Sequence, residues 1–167
     1  MGQYWFPVNL DKKEYILPHE LGTGLKLWEQ LANHPGTGAA LIVLLAAMPE
    51  ARGGGDFDLE ENWHGPERTF PKFNVDPAPM PEDYPTIAHS VIGRWAGDRI
   101  ALVGDYAENS DLPAEFKAST IYDKCHDDYE GKDKYTNITK YVVTVIEHEL
   151  GGKFQGEGWK EWIENKE

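Results

Sequence analysis

Cysteine is almost missing from this chain: Cys125 is the only one in 167 residues. A single thiol excludes an internal disulfide framework and points to a reducing compartment. Basic residues are scarce too. Sixteen Lys and Arg stand against 29 Asp and Glu, a formal charge of −13. Such a surface repels phosphates, so a general nucleic-acid binder or a binder of anionic membranes is excluded. Long apolar runs are also wanting. Residues 39–48 form the one extended run, about half of what a bilayer-spanning helix requires. The opening Met1-Gly2-Gln3-Tyr4-Trp5-Phe6 lacks a basic stretch followed by an apolar one. Phe6 stands where a myristoylation signal wants Ser or Thr. Together these absences predict a soluble cytoplasmic protein with neither nucleic acid nor membrane as partner.

What is present suits one folded domain. Hydrophobic residues make up 40% and aromatics 12%, too rich for wholesale disorder. A chain of this length buries one core without a staple. We therefore expect a single domain over 1–167. Its charge is uneven. Residues 50–86 hold nine acids, three bases and six of the eleven prolines, with three successive glycines at 53–55. That composition cannot continue a helix or fill a central strand. It predicts a long acidic excursion over the surface, pinned by Phe57, Trp63, Phe70, Phe73 and Tyr84.

The flanks predict an α+β fold. Tyr4 to Leu10 reads as a strand, with Pro7 favouring an edge position. Tyr15-Ile16-Leu17 reads as a short returning strand, and Leu25, Trp28 and Leu31 as a short helix. Residues 37–48 are apolar all round, with many alanines, which predicts a buried helix capped by Thr37. The clearest strand pair is expected at 88–95 and 99–105, a central hairpin within a small antiparallel sheet. Gly97 would supply the positive φ of its turn. Ile100, Leu102 and Gly104 alternate with Ala101 and Val103, so both faces of the second strand are apolar and a central position follows. Residues 107–136 are polar. Ile138, Tyr141, Val142, Val145 and Ile146 then form the stripe of an amphipathic helix over about 137–150. Asn137 or Thr136 would cap it and Gly151 would stop it. Trp159, Trp162 and Ile163 repeat that spacing in a short last helix.

The chemical motifs are incomplete. Glu147-His148-Glu149-Leu150-Gly151-Gly152 resembles a zinc-protease helix, but Gly152 stands where the second histidine is needed. No complete metal site is expected; His148 and His64 are the side chains that could contribute to one. His34-Pro35-Gly36-Thr37-Gly38 has the glycines of an anion-binding turn without its Lys. The string from Asp123 to Asp133 is rich in carboxylates, yet its register does not fit a calcium loop, so it reads as a solvated acidic loop. Around the expected hairpin, polar and aromatic groups crowd. His89, Asp98 and Asp105 are candidates for acid–base chemistry. Arg94, Trp95, Arg99 and Tyr106 are candidates for binding, because strand ends often carry recognition residues. No cofactor is named by any motif.

Two strings carry a resemblance. Met1-Gly2-Gln3-Tyr4-Trp5 with Val8-Asn9-Leu10-Asp11-Lys12-Lys13-Glu14, and Trp95-Ala96-Gly97-Asp98-Arg99-Ile100 with Val103-Gly104-Asp105-Tyr106-Ala107, are similar to a set of uncharacterised proteins found mainly in fungi and other eukaryotes. The resemblance covers the first third of the chain and the central segment. It implies an intracellular protein and transfers no catalytic residue.

Two functions follow as expectations. The first is a non-catalytic acidic module that binds a basic or mixed-charge protein surface. The second is a small enzyme using His, Asp and Glu in a cleft near the central segment, with His64, His89, Asp98, Arg99, Asp105 and His148 lining it.

Overall fold

A computed structural model describes residues 3–32, 36–47 and 84–153. Most of the acidic excursion 50–86, with His64 and the aromatics Phe57, Trp63, Phe70 and Phe73, lies outside the described residues, as do His34, Pro35 and the last helix expected at Trp159 to Ile163.

The fold is α+β. Its sheet contains β1 (Trp5–Asn9), β2 (Glu14–Tyr15), β3 (Ile100–Gly104) and β4 (Thr136–Asn137), in the order β3-β1-β2-β4. β1 pairs antiparallel with both β2 and β3, whereas β2 pairs parallel with β4. The sheet is thus mixed rather than wholly antiparallel. Five helices accompany it among the described residues: α1 (Glu29–Ala32), α2 (Gly36–Leu45), α3 (Tyr84–Val91), α4 (Ile121–Lys124) and α5 (Thr139–Lys153).

Side-chain alternation along the strands divides the interior in two. Phe6, Val8 and Leu10 of the first strand region share a face with Ala101, Val103 and Tyr15. On them close Ile121, Cys125 and Tyr135 from the segment that follows β3. Asn9, Glu14 and Ile100 point to the opposite face, where α2, α3 and α5 bury Leu44, Val91, Ile92, Trp95, Val142 and Ile146. The sheet is the middle layer between a helical core and a core of short turns.

The helix expected at 37–48 is α2, but it is buried on one side rather than all round, since Ile42 and Leu45 are 69% and 43% exposed; the expected late helix is α5. At α5 the Asn137 side chain accepts the Thr139 N–H at 2.9 Å, the predicted cap. The helix nevertheless runs through Gly151 and Gly152 to Lys153, so Gly151 does not stop it. Thr37 lies inside the first turn of α2 rather than before it, and its hydroxyl faces that of Thr23 at 3.5 Å.

The hairpin at 88–105 is corrected. Its first arm is the helix α3 followed by a turn. Ile87, Ala88, Val91, Ile92 and Trp95 are all buried, a spacing of one and three or four residues that belongs to a helix face and its continuation. Gly93 ends the helical run with φ +71°. The turn then closes on α2: Gly93 and Trp95 donate their N–H groups to the carbonyls of Val43 and Leu44 at 2.8 and 2.9 Å. Gly97 does adopt positive φ, +85°, in the approach to β3.

Without a first arm, β3 pairs only with β1 among the described residues and lies at the sheet edge, not its centre. Leu102 is accordingly exposed. Pro7 shows the converse. β1 is interior, yet Leu10 donates to Arg99 and Asp105 to Tyr4, so even positions of β1 face β3 and Pro7 faces β2. Its carbonyl accepts the Ile16 N–H at 3.0 Å, and its missing N–H falls just where the β2 ladder ends.

Candidate functional site

The residues singled out from sequence divide by how the fold uses them. Arg94 and Trp95 are core residues, at 2% and 0% exposure. Arg94 makes a forked contact with Glu14, Nε to Oε2 at 2.9 Å and Nη2 to Oε1 at 2.5 Å. The Trp95 indole N–H donates to the same carboxylate at 2.9 Å. Glu14 is itself 4% exposed, so this is a buried charge satisfied on several sides. It ties β2 to the turn after α3, which gives Arg94 and Trp95 a scaffolding position rather than a surface one.

Asp98 is drawn to the β1–β2 turn. Asn9 Nδ2 donates to it at 2.7 Å and the Lys12 ammonium pairs with it. Asp105 sits at the far end of β3, whose five residues span about 16 Å. Its Oδ1 accepts the Tyr4 N–H at 3.1 Å. His89 is on α3, within the helical layer. His148 is on α5, its ring stacked on Tyr84 with centroids 3.5 Å apart, while the Tyr84 hydroxyl donates to Glu149. The three acid–base candidates therefore stand on separate parts of the fold. Among the described residues, no group of three His, Cys, Asp or Glu side chains converges on a metal position.

Arg99 and Tyr106 do face solvent. The Arg99 guanidinium binds Asp11 at 2.5 Å and Glu115 at 3.1 Å and covers the Phe116 ring at 4.4 Å. These contacts lower the Asp11 pKa and raise that of Arg99, chiefly through their mutual hydrogen bond.

The segment after β3 carries the remaining chemistry. Residues 107–136 wrap the sheet through short helical turns at Asn109–Asp111, Ala114–Phe116 and Ala118–Thr120 and through α4. Their apolar members are spent on the second core: Phe6 stacks on Tyr122 with centroids 4.8 Å apart and meets the His126 ring edge-on at 5.5 Å. Burial leaves Cys125 inert, pushing its thiol pKa far up. The carboxylates are left outside. All eight of the segment, from Glu108 to Asp133, are exposed, against four lysines. Asp123, His126, Asp128 and Tyr129 line an open cleft of about 430 Å³. Lys124 pairs with Asp133 at 2.7 Å and the Tyr129 hydroxyl donates to Asp133 at 2.8 Å, a clasp beside the cleft. Such an arrangement accepts hydrogen bonds from lysine or arginine and favours their charge. The acidic string was visible in the sequence; the clasp was not, because nothing in the spacing says which of its residues meet.

The clasp predicts a pH effect. Lys124 first, and Tyr129 next, hold the Asp133 carboxyl at about 2, below its ordinary 3.8. A depressed folded pKa stabilises the clasp above the ordinary value, and that contribution disappears as the pH falls from about 4 towards 2. The Asp133 carboxyl carbon, followed by NMR, should titrate near the bottom of that window, and K124M should move its midpoint up. A wild-type midpoint at the ordinary carboxylate value would mean that the clasp does not form.

Comparison with family models, with curated proteins and with solved structures finds no match for this chain. No helix among the described residues is long and apolar enough to cross a membrane.

Proposed function

We propose that this protein is a non-catalytic binding module of the cell interior whose acidic segment 107–136 takes a basic or mixed-charge protein surface. The observation that carries this reading is the placement of the eight carboxylates. All are solvent-facing on a segment whose apolar residues anchor it to a core, so the charge sits on a supported surface instead of a loose tail. Supported charges steer partners and set orientation more effectively than mobile ones. The candidate acid–base residues give less support to an enzyme: Asp98 and Asp105 bond to Lys12, Asn9 and Tyr4 at opposite ends of β3.

Deca-arginine serves as the probe for a cationic partner. Titrated into the labelled full chain, it should shift the amide resonances of residues 123–133 before others. Its affinity should drop about tenfold or more between low and physiological salt. D128N/E130Q should weaken it further while leaving the fold intact, since both side chains are exposed. Shifts scattered evenly over every acidic residue, or none at physiological salt, would sink the reading.

A further inference from the structure

β3 leaves one side of the sheet open. It pairs with β1 alone among the described residues, and Leu102 at its centre is 44% exposed. The ladder to β1 uses the odd positions of β3: the Arg99 carbonyl accepts from Leu10, and the Asp105 N–H donates to Tyr4. The N–H and C=O groups of the even positions, Ile100, Leu102 and Gly104, therefore point away from the sheet. Among the described residues only the Gly104 carbonyl finds a backbone partner there, the Ala107 N–H at 3.1 Å. Exposed edges are commonly blunted by lysine, proline or a bulge. Ile100-Ala101-Leu102-Val103-Gly104 has none of these, and its register with β1 is unbroken. An edge of that make is a template for another strand.

Two features select a second copy of the same chain as that strand. The first is symmetry. When Leu102 stands opposite its own copy, an antiparallel pair has its two-fold axis there, and every outward group meets an outward group. Leu102 exchanges two hydrogen bonds with Leu102 of the second copy, and Ile100 exchanges two with Gly104 of the second copy. The Gly104 carbonyl has a second lone pair for this donor. The exposed Leu102 side chains then lie against each other, since opposed residues share a face. The second feature is charge. The same register sets Arg99 opposite Asp105 of the second copy, twice by symmetry. The Arg99 side chain is 57% exposed and gives one donor each from Nε, Nη1 and Nη2 to Asp11 and Glu115. Two of the five guanidinium donors remain. Asp105 spends Oδ1 on the Tyr4 N–H, and no described residue bonds to its Oδ2. A register shifted by two residues keeps neither the charge pairs nor the Leu102 contact.

We propose that β3 pairs antiparallel with β3 of a second copy, joining two four-stranded sheets into one of eight. This goes beyond the cationic partner of the acidic segment and does not depend on it. Five residues a side make an interface well below the roughly 800 Å² per partner of a standard complex, so the dimer forms as concentration rises. Each chain carries −13, so low salt opposes the pairing and physiological salt permits it.

Sedimentation equilibrium at physiological salt, from micromolar to millimolar protein, should show a monomer–dimer equilibrium. Amide exchange reads the register. As the dimer fills, the amides of Ile100, Leu102 and Gly104 should slow tenfold or more, while those of Ala101 and Val103, which already face β1, should change far less. L102K places two lysines opposite each other and should weaken the dimer tenfold or more. L102C should oxidise to a covalent dimer at least tenfold faster than S110C, which is exposed beyond the strand. Opposed Cα atoms about 5.5 Å apart suit a disulfide, and the native Cys125 is buried away from the reaction. If L102K does not fold, the wild-type exchange pattern and the L102C cross-link decide without it. A monomer at every concentration overturns the proposal. So does a dimer that tolerates L102K, one that leaves the outward amides unprotected, or cross-linking of L102C no faster than that of S110C. A dimer broken by I42S and not by L102K assigns the contact to the exposed side of α2 and overturns it too.

Discussion

Replacing Arg94 by alanine should cost about 3–5 kcal/mol of stability, among the largest effects of any single change in the chain. The cause is not the loss of a favourable bond alone. Glu14 is almost wholly buried and accepts from Arg94 Nε, from Nη2 and from the Trp95 indole. Without the guanidinium, a carboxylate remains out of water with a single donor. Lysine should rescue only part of the loss, since one ammonium cannot reproduce the fork. The double variant E14L/R94M should be clearly more stable than R94M, because removing both charges also removes the desolvation penalty. It should not reach wild type, since the Trp95 N–H then loses its acceptor, at about 1–3 kcal/mol. Urea unfolding of these four variants and the wild type gives the comparison. A loss below about 1 kcal/mol in R94A would mean that the pair is hydrated rather than buried.

This network also explains what could and could not be read from the letters. α2 was legible as a helix because its uncharged, alanine-bearing run fits one, but its burial was overestimated: Ala40, Val43 and Leu44 are buried while Ile42 and Leu45 stand in solvent. α5 was legible because its stripe repeats at the helical period over several turns. The α3 region was misread because Val91, Gly93 and Trp95 also alternate, and only the burial of Ile87, Ala88 and Ile92 decides for a helix. Glu14 and Arg94 are 80 positions apart, and no local pattern links them. Arg94 and Trp95 consequently looked like surface binding residues when their long-range partner makes them core. The acidic face was visible as composition. Its support was not, because Phe6 reaches Tyr122 and His126 only once the sheet has fixed which side of β1 faces the later segment. Trp28 was assigned to an apolar helix face, and only the fold places it outside α1 and in solvent.

The dependence of the acidic face on the second core predicts a different outcome for Phe6→Ala. Phe6 is 2% exposed and touches the rings of Tyr15, Tyr122 and His126. Truncation should cost about 3–5 kcal/mol, while Phe6→Leu, which keeps most of the volume, should cost far less. Stability alone would not separate this site from any other core position. Ile146→Ala, in the helical core, should cost a comparable 2–5 kcal/mol. The two should part in binding. Under conditions where both variants are folded, Phe6→Ala leaves Tyr122 and His126 without the ring they pack on, and both flank Asp123. The carboxylates then sit on a looser segment, and deca-arginine should bind several-fold more weakly although no charge has been removed. Ile146→Ala should leave that affinity where it was, with faster amide exchange confined to α2, α3 and α5. Equal loss of affinity in the two variants would show that the acidic face responds to global stability, and that the second core plays no separate part in holding it ready.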